Sequence, residues 1–268
     1  MGESVRHILG LSGGKDSTAL AVFMRNRAPE MEYVFCDTQK ELPETYAYLD
    51  RLQAFLGKPI TRLNASRGFD HWLELYGGYL PSSRMRWCTK MLKLKPFEAF
   101  VGDNAVLSYI AIRADEDREG YISKKPNIRP VYPFKEAGIV EADVTRILEE
   151  AGLRLPEYYR WRTRSGCYFC FFQRRAEWVG LLENHPDLFK KAMEYEKIDD
   201  ANGIHYTWNE RESLVQLADP KRIEEIKRNH CEAMKEEAAS RRGQRLYQIF
   251  GAALDEEDDT EPCLICHL

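Results

Sequence analysis

The chain lacks a long hydrophobic run. No stretch of its 268 residues approaches the ~18 consecutive apolar residues that a membrane-spanning helix needs. It also lacks a charge bias, since 39 Lys and Arg stand against 43 Asp and Glu for a formal net charge of −4. A pI near 6.0 excludes a globally basic nucleic-acid binder and leaves room only for a local basic patch. No basic-then-apolar leader pattern opens the sequence, because Met1-Gly2-Glu3-Ser4-Val5-Arg6 runs straight into a strand pattern. A soluble, cytoplasmic protein is therefore expected. An even cysteine count is missing too: seven cysteines without an export signal do not read as a disulfide framework. There is no internal repeat. What is present is 44% hydrophobic and 12% aromatic residues, too much for a disordered chain and enough for a sizeable core.

The first half alternates strand and helix patterns. Val5 to Leu11, Met31 to Cys36, Pro59 to Leu63 and Val106 to Ile112 are strand candidates. Ala19, Leu20, Val22 and Phe23, and then Tyr46, Leu49, Leu52 and Phe55, have helical spacing. Such alternation predicts an α/β fold with a parallel sheet and helices on both faces. After Pro156 the chain is rich in charge and aromatics, with helical patterns near 174–197 and 219–250 and no clear strands. Residues 1–155 are thus read as a nucleotide-binding α/β domain. Residues 156–268 are read as a mostly helical extension carrying two CxxC motifs, with Asp255 to Asp259 as a solvated linker.

Between the first strand and first helix lies Ser12-Gly13-Gly14-Lys15-Asp16-Ser17. A glycine turn leading into a helix N-terminus aims backbone N–H groups at one point and creates an anion site. A Walker A loop is excluded, because Leu9 stands where it needs Gly and Asp16 where it needs Ser or Thr. G-x-G-x-x-G fails at Ser12. The SGGKDS loop resembles the pyrophosphate-binding loop of the ATP pyrophosphatases, which have the adenine-nucleotide α-hydrolase-like, Rossmann-like fold. That resemblance implies a loop holding the β- and γ-phosphates of ATP, with pyrophosphate leaving after attack at the α-phosphorus.

Further segments resemble the phosphoadenosine phosphosulfate (PAPS) reductase branch: Phe35-Cys36-Asp37-Thr38 followed by Glu41-Leu42-Pro43-Glu44-Thr45, the helix Arg86-Trp87-Cys88-Thr89-Lys90-Met91-Leu92-Lys93, and the loop Ile112 to Arg118. Arg129-Pro130-Val131-Tyr132-Pro133 and Gly166-Cys167-Tyr168-Phe169-Cys170 match more loosely. Residue types then suggest roles. Lys15, Asp16, Arg86, Lys90 and Arg113 are the candidate catalytic residues, the cations among them holding a triphosphate and stabilising departing pyrophosphate. Ser12, Gly13, Gly14, Lys15, Asp16, Ser17, Asp37, Thr38, Arg113, Asp115 and Arg118 are the candidate ATP-binding residues. Asp16 and Asp37, with Asp115 a further carboxylate, are candidate Mg²⁺ ligands.

Reductases of this branch have a degenerate loop and a C-terminal Glu-Cys-Gly-Leu-His thiol. This chain keeps Lys15-Asp16, and its tail reads Cys263-Leu264-Ile265-Cys266-His267-Leu268, which makes ATP the better nucleotide. The sequence resembles ATP-using DNA phosphorothioation proteins of the SspD and DndC types, and tRNA-thiolation enzymes share the SGGKDS loop. The resemblance implies an enzyme that adenylates an acceptor oxygen, a DNA backbone phosphate first, for sulfur insertion. Its implied partners are a cysteine desulfurase or other persulfide donor, a nucleic acid acceptor and, in assembly, a homodimer. The alternatives are a PAPS reductase-type oxidoreductase, a tRNA-thiolation enzyme and a non-catalytic ATP-sensing partner of a sulfur donor.

The cysteines stay open among four readings. Cys88, Cys167 and Cys170 stand where some relatives carry ligands of a [4Fe–4S] cluster, with Cys263 or Cys266 supplying the fourth. The two CxxC pairs offer four thiolates for Zn²⁺. Cys266 beside His267 offers a sulfur-carrying thiol. Finally, reduced cysteines are common as small core residues. Tyr158, Tyr159, Arg160, Trp161, Arg162 and Arg164 alternate aromatics with arginines, a composition suited either to stacking bases and pairing phosphates or to wedging the extension against the core.

Overall fold

Strand β1 (Arg6–Leu11) is buried along its last four residues, as expected of a strand covered on both faces. It pairs in parallel with β2 (Glu32–Asp37) on one side and β4 (Val106–Tyr109) on the other. With β3 (Ile60–Asn64) and β5 (Ile128–Val131) they form a five-stranded parallel sheet of order β3-β2-β1-β4-β5. The structure, a computed structural model, describes residues 5–117, 125–209 and 211–243.

Alternate side chains of a strand point to opposite faces, and the two cores divide accordingly. Leu9, Leu11 and Phe35 pack with Leu20 of α1 (Lys15–Met24), Leu49 and Leu52 of α2 (Pro43–Leu56), Phe134 of α6 (Pro133–Glu136), and Val144 and Leu148 of α7 (Glu141–Glu150). Ile8, Val34 and Cys36 face the other way, against Phe97 and Val101 of α5 (Lys95–Val101). Each such fully buried aliphatic or aromatic side chain contributes about 1.5–3 kcal/mol.

Helix α3 (Phe69–Leu75) follows β3, and α4 (Trp87–Thr89) precedes α5 through a π-helical turn over Lys90–Leu94. The expected helix around residues 86–93 is thus wound wide in its middle. Pro96 accounts for this: its ring cannot sit against a normally placed carbonyl four residues earlier, and Lys95 N–H reaches back to the Lys90 carbonyl.

Three strands were not expected. β5 contains Pro130, opposite Ser108 of β4, and a proline is admitted because β5 is the sheet edge. The segment read as strandless holds an antiparallel hairpin of β6 (Lys197–Asp199) and β7 (Ile204–Tyr206). Its turn closes at Asn202-Gly203, with Gly203 at φ +65 and Asp199 accepting from Asn202 N–H.

The chain divides into two compact units. The first runs to Cys170, past the boundary expected at 155, and the second begins at Phe171. The second is mainly helical: α8 (Arg175–Asn184), α9 (Pro186–Glu194), the hairpin, α10 (Leu214–Leu217) and α11 (Pro220–Gly243). Trp178, Phe189 and Trp208 fill its centre. Glu212 receives Arg222 Nε at 2.8 Å and also pairs with Arg175, tying the start of α8 to the start of α11. Hydrogen bonding from Arg222, opposed by burial and reinforced by Arg175, holds its carboxyl below the ordinary value of 4.5. Glu212→Gln is expected to cost about 1–3 kcal/mol at neutral pH, because two guanidinium groups lose the carboxylate charge and one of its two acceptor oxygens, with an NH2 donor in its place. The deficit should shrink as pH falls below 4.5 and through the depressed pKa, where wild-type Glu212 is itself protonated. Urea melts of both proteins at pH 7 and in the acid range check this.

Candidate nucleotide site

In an open α/β sheet the ligand crevice opens at the carboxyl edge, where strand order reverses. In the order β3-β2-β1-β4-β5 that point lies between β1 and β4. The loops that leave those two strands, Ser12–Gly14 and the segment beginning at Ile110, meet there through an ion pair of Asp16 with Arg113.

The phosphate-loop geometry depends on its two glycines. Gly13 has φ +73, and a Cβ there would lie 2.6 Å from Thr45 Cγ2 on α2. A Cβ on Gly14 would lie 2.8 Å from Ser165 Oγ. Hydroxyls knit the turn: Ser12 N–H donates to Ser17 Oγ at 3.2 Å, and Thr18 Oγ1 donates to the Gly14 carbonyl at 2.8 Å. Ser165 Oγ donates to Ser12 Oγ at 3.0 Å. Helix α1 opens at extended Gly14 without a side-chain cap, the condition under which a helix N-terminus attracts an anion. Gly13→Ala combines a left-handed backbone with a steric clash, for an expected loss of about 2–4 kcal/mol. Adding Thr45→Ser removes the clashing methyl and should restore part of the loss but not all of it. Thermal unfolding of the single and double variants reads this coupling.

Two tyrosines that sequence reasoning assigned to nucleic acid or to a wedge are part of the loop's support. Tyr158 is fully buried and its hydroxyl donates to the Gly13 carbonyl at 2.8 Å. The Tyr159 hydroxyl accepts Lys15 N–H at 3.0 Å, and its ring stacks on that of Tyr158. Burial, chiefly, raises both phenol pKa values, so both stay neutral. Arg162 is buried as well, donating to the carbonyls of Gly166 at 3.0 Å and Cys167 at 2.9 Å. No local pattern announced these roles; the wedge alternative comes nearest to them.

The candidate cations are held by carboxylates. Lys15 Nζ pairs with Glu141 at the start of α7. Arg113 pairs with Asp16 and Asp115 at 2.9 Å and Glu116 at 3.0 Å. Burial opposes the charge on Arg113, and Asp16 with the neighbouring acids more than offsets it, so the guanidinium is raised further above its ordinary range. The Lys15 hydrogen bond, opposed by burial, lowers the Glu141 carboxyl. Glu141 and Glu116 were not among the expected site residues.

At the end of β2, Asp37 Oδ1 accepts Gln39 N–H and the Tyr46 hydroxyl, both at 2.8 Å. Thr38 Oγ1 donates to buried Glu41 at 2.9 Å and lies 3.1 Å from Cys167 Sγ. Arg86 Nε donates to the Ser83 carbonyl, and Lys90 is exposed at the start of the π-helical turn. Arg118, Cys263 and Cys266 lie outside the described residues.

Asp16 and Asp37 are hard oxygen donors at the mouth of the loop, a set that fits Mg²⁺ held jointly with phosphate oxygens. The thiols do not make a comparable case. Among the described residues no three His, Cys, Asp or Glu side chains gather into a metal-binding group. Burial and the adjacent Glu41 push the Cys167 thiol well above its ordinary pKa. Burial likewise lifts Cys36, to about 11. Cys88, Cys167 and Cys170 therefore do not assemble a cluster or zinc site by themselves.

Two uncharacterised proteins of Methanocaldococcus jannaschii are 27% identical over 69% of this chain and 25% identical over 81% of it. The chain spans about half the length of these curated relatives, 40% of one and 54% of the other. An uncharacterised nin-region protein of Escherichia phage lambda is 25% identical over 65% of this chain and 68% of its own length. Among solved structures, a PAPS reductase from Candida auris in a phosphate complex aligns with TM-score 0.49 and 16% identity, over 61% of this chain and 82% of that one. The U34-tRNA thiolase NcsA of Methanococcus maripaludis, with its [4Fe-4S] cluster, aligns with TM-score 0.40 and 15% identity, over 80% of each chain. Residues 6–129 match the phosphoadenosine phosphosulfate reductase domain model.

Proposed function

We propose that this protein is an ATP pyrophosphatase that adenylates an acceptor oxygen, a DNA backbone phosphate, for replacement by sulfur. The observation that carries the reading is the SGGKDS loop, packed through both glycines and opening onto a helix whose N-cap residue, Gly14, supplies no side-chain cap. Gly13 and Gly14 let the backbone approach the β- and γ-phosphates, where Lys15 exchanges Glu141 for phosphate oxygens. Arg113, fixed in advance by three carboxylates, offers its charge without reorganisation as pyrophosphate departs. Mg²⁺ held by Asp16 and Asp37 would neutralise phosphate charge.

The acceptor oxygen attacks the α-phosphorus, the bond to the β-phosphate breaks, and pyrophosphate leaves. A persulfide then attacks the adenylated phosphorus and releases AMP. A second thiol cleaves the S–S bond, leaving sulfur on phosphorus and carrying away a disulfide. Partner and acceptor follow from this chemistry: a persulfide donor such as a cysteine desulfurase, and DNA.

Incubation of the full chain with Mg²⁺, α- and γ-labelled ATP, DNA and a persulfide donor tests the reading. AMP and pyrophosphate in equal amounts are expected, with AMP formation dependent on the acceptor. ADP and orthophosphate would overturn it, as would PAPS-dependent sulfite release without ATP consumption.

A further inference from the structure

The described surface exposes few large apolar side chains, and four of them fall within eleven residues: Leu75 at 65%, Tyr76 and Tyr79 at 38%, and Met85 at 46%. They share one frame. The Tyr76 ring stacks on buried Trp87 at 5.3 Å and an interplanar angle of 17°, and Trp87 Nε1 donates to the Tyr79 carbonyl at 3.1 Å. Ser82 and Met85 close a tight turn through paired backbone hydrogen bonds of 3.2 Å. The Tyr76 ring is thus held from its underside, and the Tyr79 backbone is anchored beside it.

Cations surround them in a chain whose net charge is −4. Between residues 67 and 95 stand Arg67, Arg84, Arg86, Lys90, Lys93 and Lys95 against only Asp70 and Glu74. Asp70 is engaged by Lys40 at 2.9 Å. Arg67 extends to His71 at 2.9 Å, and Lys95 lies over the Trp72 ring at 5.7 Å. The patch also adjoins the candidate site, since Lys40 belongs to the loop that follows β2, and Phe69 packs on Phe169 at 4.4 Å.

We infer that residues 67–95 form a docking surface for an unpaired DNA strand, with bases stacking on Tyr76 and Tyr79 and phosphates tracking Arg67 and Arg84. The inference rests on the proposed function and locates its acceptor. Exposed aromatic faces ringed by cations suit a single strand, because a duplex hides its base faces. In the segment 158–164, which has a similar composition, Tyr158 and Tyr159 are engaged by the SGGKDS loop and Arg162 by the carbonyls of Gly166 and Cys167.

Fluorescence anisotropy with a labelled 20-residue oligothymidylate, using the full chain at low salt, tests this. Tyr76→Ala with Tyr79→Ala, and separately Arg67→Glu with Arg84→Glu, should each weaken binding at least tenfold with unchanged ATP binding, the arginine pair at unchanged melting temperature and the tyrosine pair with only the modest loss that follows from unstacking Tyr76 from Trp87. The arginine pair should also flatten the salt dependence. Wild-type affinity in both variants would overturn the inference, as would equal preference for duplex DNA or selective binding of an RNA of the same sequence. A dimer that both pairs dissociate without loss of DNA binding would reassign the patch to a second copy of the chain. DNA binding that follows the prediction while no AMP forms would leave the surface standing and remove the proposed chemistry.

Discussion

Lys15→Ala is expected to lower AMP formation about 10²–10³-fold while leaving the fold nearly as stable as before. The catalytic loss follows from removing the one flexible cation of the loop, aimed at charge that develops as pyrophosphate leaves. The small structural cost follows from its partner: Glu141 is 49% exposed, and exposed ion pairs are worth about 0–1 kcal/mol. Glu141→Gln should act in the opposite direction on binding. Lys15 holds the Glu141 carboxyl below its ordinary value of 4.5, so at neutral pH this carboxylate competes with phosphate for the same ammonium. Neutralising it should tighten ATP binding severalfold. Rates of AMP release, calorimetric ATP affinity and melting temperature together check the set. Loss of stability comparable to the loss of activity in Lys15→Ala would contradict a phosphate-binding role.

Arg113→Ala should fail in both respects. Its guanidinium is only 14% exposed and satisfies Asp16, itself 13% exposed, together with Asp115 and Glu116. Removing it leaves three carboxylates facing one another at a low-dielectric crevice, and loss of one partner from a buried ion pair typically costs about 3–5 kcal/mol. The same carboxylates would then repel a triphosphate, so AMP formation should fall about a thousandfold or more. Arg113→Lys separates the two effects. One ammonium restores charge and part of the stability but cannot span three acceptors as a planar fork does. Its melting temperature should recover further than its rate of AMP release. Equal recovery of both would mean that Arg113 serves the fold alone.

The legible parts of this molecule were those written locally. β1, the SGGKDS turn, α1, β2 and α2 announce themselves through apolar spacing and glycine position within some fifty residues. β5 was hidden because Pro130 interrupts it, and only its edge position makes that proline harmless. The three-residue strands β6 and β7 are too short for alternation to register, although Asn202-Gly203 was a usable turn signal. The site divided in the same way. Lys15, Asp16 and Arg113 were recognisable from their motifs. Tyr158, Tyr159, Arg162 and Ser165 were not, because their hydrogen bonds reach partners brought together only by the sheet's crossovers, and composition alone suggested a different partner for them. Glu141 looks like an ordinary first-turn acid until α7 is packed beside α1.

The bond from the Tyr158 hydroxyl to the Gly13 carbonyl joins positions 145 apart, and Ser165 meets Ser12 across a separation of 153. Order of synthesis therefore differs from order of completion. The SGGKDS loop leaves the ribosome about 145 residues ahead of its clasp, which waits for the residues around 158–165. Closing so long a loop carries an entropic cost that grows only logarithmically with length, but contacts this distant in sequence slow folding. A nascent chain stopped at residue 155 would hold all five strands of the parallel sheet without the tyrosines that fix the glycine turn beside it, so the turn is completed only by the segment that follows the sheet.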